Sequence, residues 1–117
     1  MEAREFLFFR GSSPTLELVL PLAVAPEDAA VLSFSQGGEP VLVYAMNDQA
    51  QSRATGRLYR DEAEENVLLL EMSQKDTLAL ASGHVELQLR VANALGADTF
   101  RPLQGLVGPT LYEGMIG

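Results

Sequence analysis

The chain carries a single histidine, His84. A pair of imidazoles for metal or a two-histidine relay is therefore excluded, and what remains is a lone acid or base near neutral pH. An enzymatic use of it would need a cleft that gathers His84 with two or more carboxylates. The simpler reading is an outward or interfacial position just after the Gly83 stop. Asp61, Glu62, Glu64 and Glu65 form the densest group of carboxylates, but they lack the Asp-x-Asp-x-Asp-Gly spacing that wraps calcium and read as a solvated turn. The serines at 12, 13, 33, 35, 52, 73 and 82 include no Gly-x-Ser-x-Gly elbow. Gly37-Gly38 reads as a turn, and no Gly-Lys-Ser/Thr follows any glycine-rich stretch. Without cysteine, thiolate catalysis, disulfides, iron–sulfur clusters and sulfur-ligated zinc are excluded. Without tryptophan, the aromatic cleft that usually accompanies paired-carboxylate glycoside hydrolysis is missing. No catalytic, cofactor-binding or metal-binding residue is assigned, and no cofactor is expected.

The elements that would position any site are short strands. Glu5 to Arg10 is an aromatic strand ended by Gly11-Ser12-Ser13-Pro14. Thr15 to Leu20 sets Leu16, Leu18 and Leu20 on one face, and Pro21 ends it. Ala23 to Asp28 is a loop around Pro26 with Glu27 and Asp28 solvated. Ala30 to Gln36 and Pro40 to Ala45 flank Gly37-Gly38 as a hairpin. Asn47 to Arg53 is a polar surface loop. Ala54 to Arg60 is a weaker strand, interrupted by Gly56.

Val67 to Met72 is nearly all apolar, as in a strand covered along most of its length. Ser73 then caps a short helical turn, Asp76 stands where a carboxylate favours a helix start, and Gly83 ends the turn. In His84 to Val91, Val85, Leu87, Leu89 and Val91 face inward and His84, Glu86, Gln88 and Arg90 outward, which predicts a central strand. Met72 to Val91 as a whole reads as the corner where the chain crosses from one sheet to the other. Asn93 to Asp98 is a hairpin-like loop, and Thr99 to Val107 a return strand broken by Pro102 and Gly105. The apolar residues Leu111, Tyr112, Met115 and Ile116 read either as a final packed strand or as an arm that pairs with a neighbouring subunit. They are the candidate interface.

Seven or eight short strands with one helical turn predict an all-β, antiparallel sandwich. A chain of 117 residues fits one domain over residues 1–117 and should bury about 60 to 70% of its unfolded surface. A net charge of −8 repels nucleic-acid backbones and anionic membranes. No apolar run reaches membrane-spanning length, and Met1-Glu2-Ala3-Arg4-Glu5 is not a basic signal-peptide start. Neither nucleic-acid binding nor membrane insertion is expected.

Several separated stretches resemble one family. Phe9 to Thr15 (FRGSSPT) is similar to its F-R-G-x-x-P-T opening, Leu32 to Gln36 (LSFSQ) to its x-x-F-x-Q strand, and Met72 to Leu78 (MSQKDTL) to its L-[ST]-Q-x-[DE]-T-L turn. Val85 to Val91 (VELQLRV) is similar to its V-x-[VIL]-Q-[VIL]-R-V strand, and Leu111 to Ile116 (LYEGMI) to its L-x-[DE]-G-[VM]-I ending. These belong to small phage and prophage tail-region proteins of Gram-positive bacteria, with a looser likeness to the amino-terminal domain of phage baseplate upper proteins. Ala45 to Asn66 does not align, and Asn93 to Asp98 lacks the family's Asp-Gly turn.

The resemblance implies an immunoglobulin-like sandwich and a non-enzymatic structural or assembly role in the tail or baseplate, through protein–protein contacts with other tail proteins or with itself as a homo-oligomer. It transfers no catalytic residue. It also implies synthesis in the bacterial cytoplasm and association with the virion. The alternative is a monomeric ligand- or glycan-recognition module that works through loops such as Asn47 to Arg53.

Overall fold

A computed structural model describes residues 6–48, 52–93, 96–100 and 102–110. Among these residues nine strands and one helix follow in order: β1 (Phe6–Phe9), β2 (Thr15–Val19), β3 (Ala29–Gln36), β4 (Glu39–Met46), β5 (Arg57–Arg60), β6 (Val67–Glu71), α1 (Gln74–Ala79), β7 (Gly83–Asn93), β8 (Gly96–Thr99) and β9 (Leu103–Gly108). They form an immunoglobulin-like sandwich of two sheets. The larger has six strands in the order β1-β9-β7-β3-β4, with β8 added on β7; the smaller is β2-β6-β5.

Alternation does most of the sorting. In β7, Val85, Leu87, Leu89 and Val91 are buried while His84, Glu86 and Arg90 are exposed, and β7 is the central strand between β9 and β3. The middle strand of the smaller sheet, β6, has β2 and β5 as neighbours and buries Val67, Leu68 and Leu70. The hairpin β3–β4 closes through Gly37 (φ +61°) and Gly38 (φ +80°), the pair of positive angles that a type I′ turn requires. At the centre Phe34 meets Phe6, Phe8 and Tyr44 edge to face, with centroids 6.0 to 6.2 Å apart, the preferred aromatic geometry.

The corner after β6 carries the chain from the smaller sheet to the larger through α1. Ser73 and Asp76 form a full capping box. Three of the stretches that carry the resemblance, Phe9 to Thr15, Leu32 to Gln36 and Met72 to Leu78, meet here. Arg10 Nε and Nη2 donate to the Leu80 and Leu78 carbonyls at 2.6 and 3.0 Å. Thr77 Oγ1 accepts from the Gly11 amide at 3.0 Å and donates to the Ser12 carbonyl at 2.8 Å. The Gln36 side chain donates to the Ala81 carbonyl at 2.8 Å and accepts from its amide at 2.9 Å. Separate motifs along the sequence are therefore one hydrogen-bonded corner.

Several local expectations are corrected. The sandwich is not wholly antiparallel: β1 pairs with β9 in parallel. Asp28 is buried, not solvated; its carboxylate accepts from the Ala25 amide at 2.9 Å and so closes the Pro26 loop. The helix stops at Leu80, and Gly83 (φ +120°) instead opens β7. Gly96 to Asp98 already belong to β8, which pairs antiparallel with β7, and the single return strand over Thr99 to Val107 divides into β8 and β9. The weaker strand is confined to Arg57–Arg60.

Candidate interaction surface

β1 reads FLFF, apolar on both faces. Phe6 and Phe8 point into the sandwich, which sends Leu7 and Phe9 outward, where they remain 61% and 54% exposed. The parallel register sets Leu7 beside Leu106, itself 46% exposed. β9 accommodates this aromatic neighbour by having no side chain at two positions. Phe6 covers Gly105 on the inner face and Phe9 covers Gly108 on the outer, and a Cβ at either glycine would stand 2.4 Å from the ring. Gly105, which reads from the sequence as a strand breaker, is the place that lets a phenylalanine ring lie flat on the sheet.

Next to Leu106 on the same outer face, its register partner on β7 is His84. Leu7, Leu106 and His84 thus form a row over three adjacent strands, and beyond it Gln104 donates to Glu86 at 3.1 Å. Among the described residues β1 is the edge of its sheet. The Arg10 amide donates to the Gly108 carbonyl at 3.0 Å, so even-numbered residues of β1 turn their backbone groups toward β9. Those of Leu7 and Phe9 face the open side. The Phe9 carbonyl is taken by the Ser12 amide and hydroxyl.

The other residues with chemical potential are not brought together. His84 is exposed on an open sheet face, and its backbone carbonyl accepts from Gln36 Nε2 at 3.3 Å. Asp61 accepts from the Ala63 and Glu64 amides at 3.1 and 2.9 Å, which makes it a turn residue, while Glu62, Glu64 and Glu65 are exposed. No group of three or more His, Cys, Asp or Glu among the described residues is placed to hold a metal ion. Asn47, the first residue of the polar loop, sits at φ +59° and donates to the Pro26 and Asp28 carbonyls at 2.7 and 2.8 Å, so it ties two loops together. Leu111, Tyr112, Met115 and Ile116 lie outside the described residues.

The carboxylate that does most is one that reads from the sequence as a helix cap. Asp76 is 2% exposed and accepts from the Tyr44 hydroxyl (2.7 Å), the Thr55 amide (2.8 Å) and hydroxyl (3.1 Å), the Gly56 amide (2.8 Å) and the Ser73 amide (3.4 Å). Burial pushes its pKa up, but the hydrogen bonds from Thr55, Tyr44, Gly56 and Ser73 outweigh that and hold the carboxyl below its ordinary value. Tyr44 is pushed up, first by its own burial and then by the hydrogen bond to Asp76 and its charge. Every acceptor position is engaged from within the protein, so Asp76 is a structural hub and offers nothing to a substrate. The Leu7–Phe9–Leu106 surface, in contrast, has no partner among the described residues.

No protein-family model matches the chain, and neither does any curated protein. Solved structures do. CopC from Methylosinus trichosporium OB3b is similar at a TM-score of 0.55 with 18% identity, over 95% of this chain and 91% of that one. The NK cell receptor NKp44, a triggering partner in natural cytotoxicity, is similar at 0.51 with 10% identity, over 94% and 100%. At such identities the likeness speaks for the fold alone, and the fold it supports is the immunoglobulin-like sandwich.

Proposed function

We propose that this chain is a non-enzymatic, phage- or prophage-derived structural protein of the tail or baseplate, working through protein–protein contacts made at the β1–β9 edge. The observation that carries the reading is the exposed apolar row of Leu7, Phe9 and Leu106 beside an open strand edge. Natural sheets usually protect such an edge with charge, proline or a covering element, and among the described residues β1 carries none of these. Two further features support it. The sandwich is the fold that the resemblance to phage tail-region proteins implies, and the carboxylates and the histidine are scattered on open faces or used up in caps and turns. The protein is then made in the bacterial cytoplasm and ends in the virion.

The experiment is a pull-down with the purified chain as bait against individually expressed tail and baseplate proteins from the same gene cluster. Specific capture that is lost in Leu106→Asp supports the reading, since this outward side chain can be changed without entering the core. Failure to capture any of them, together with glycan-array binding that depends on the Asn47 to Arg53 loop, would replace it with the monomeric recognition module.

A further inference from the structure

We infer that the open edge of β1 pairs with β1 of a second copy, antiparallel and about a two-fold axis at Phe8, joining two six-stranded sheets into one. The inference rests on the assembly reading above and adds the partner and the register.

On the open side β1 offers the N–H and C=O of Leu7 and the N–H of Phe9; the Phe9 carbonyl already accepts from the Ser12 amide and hydroxyl, so the partner's Leu7 amide would take the place of the hydroxyl, which can turn to water. In an antiparallel pair, residues that face each other across the gap exchange two bonds. With the axis at Phe8, Leu7 of one copy lies opposite Phe9 of the other, and the reverse. Both are outward-facing residues whose backbone groups lie on the open side, so the same pairing serves both copies. A register shifted by one residue would set these groups against the even-numbered ones that already bond to β9.

Side chains agree with the same register. Leu7 stacks beside Phe9 of the partner on the outer face, flanked by Leu106 from each copy, and apolar cross-strand pairs of this kind are the ordinary unit of sheet stabilisation. Charge sets the choice of place. The chain carries −8, so two copies repel over most of their surface, whereas Phe6–Phe9 is an uncharged run at an edge. Three exposed side chains fall well short of the ~800 Å² per partner of a standard interface, which argues against face-to-face stacking of whole sheets and for edge pairing, where main-chain bonds add to a small apolar contact. An interface this small makes the dimer a weak one.

The test is sedimentation equilibrium of the full chain from low micromolar to millimolar concentration, combined with amide hydrogen exchange at both ends of that range. The expected result is a monomer–dimer equilibrium in which the Leu7 and Phe9 amides gain protection at high concentration and the Phe8 amide, already bonded to β9, does not. Leu7→Lys should weaken association by about tenfold or more by setting a charge against each Phe9 of the partner. Leu7→Pro removes one edge donor at a position where proline is tolerated and should weaken it as well. Circular dichroism confirms that each variant is folded. A chain that stays monomeric at millimolar concentration overturns the inference, as does a dimer that survives both variants with unchanged Leu7 and Phe9 exchange. Capture of a tail protein by a strictly monomeric chain would sink the dimer and leave the assembly function standing.

Discussion

The Tyr44 hydroxyl donates to Asp76 Oδ2 at 2.7 Å between two residues 32 positions apart. Tyr44 is fully buried in β4 of the larger sheet, and Asp76 lies in α1 at the corner between the sheets. The same carboxylate takes the Thr55 and Gly56 amides of the segment that leads into β5. One side chain therefore joins the crossover helix, the core of one sheet and the entry to the other.

Replacing Asp76 with Asn should destabilise the fold by about 2 to 4 kcal/mol, because an amide nitrogen takes the place of one acceptor oxygen and points a donor at other donors. Urea unfolding measures this. A loss below about 1 kcal/mol would show that Asp76 is only a helix cap, the range that cap substitutions alone give.

The same pair predicts two limbs in the pH dependence of stability. Asp76 titrates lower folded than unfolded, so its contribution is complete above the unfolded value near 3.8 and is lost as the pH falls from there through the folded value. Tyr44 titrates higher folded than unfolded, so its contribution is complete below 10.0 and is lost as the pH rises beyond that. Melting temperature followed against pH should fall at both ends. Asp76→Asn should flatten the acid limb and Tyr44→Phe the alkaline one.

Gly56 has no room for a side chain. A Cβ there would stand 2.0 Å from the Glu71 carbonyl oxygen and 2.9 Å from Asp76 Oδ2. Backbone cannot yield as a side chain does, so Gly56→Ala should cost about 3 kcal/mol, with the β5–β6 pairing displaced. Alanine at Gly38, which has open space but a positive φ, provides a comparison in which only backbone strain operates.

Thr77→Val should cost about 1 to 3 kcal/mol although the two side chains have nearly the same shape. Thr77 is wholly buried, and its hydroxyl is the acceptor for the Gly11 amide. Valine leaves that donor unpaired. Thermal unfolding reads the loss, and hydrogen exchange should show it concentrated at Gly11.

How far the interaction surface was legible can be judged from β1. The stretch is readable as an aromatic strand, and it carries a further signal: Leu7 and Phe9 make its second face as apolar as its first, which in a strand means either cover on both sides or an exposed apolar face. Deciding between the two needs the identity of its neighbours. The sequence offers Leu111, Tyr112, Met115 and Ile116 as a final packed strand or an interface arm, and these lie outside the described residues; the exposed apolar row found among the described residues lies on β1 and β9.

What the sequence by itself determined is local and periodic. Alternation of apolar residues places β7 and its inward face, Gly37-Gly38 sets the β3–β4 hairpin, and Ser73 with Asp76 starts α1, because strand faces, turns and caps depend on residues within a few positions of one another. The tertiary structure alone decided what joins distant positions. It made Asp76 a hub by bringing Tyr44, Thr55 and Gly56 to it, buried Asp28, laid β1 parallel to β9 and, among the described residues, left its outer edge open. None of these follows from spacing, since a backbone donor has no sequence signature for the partner it will meet across a sheet.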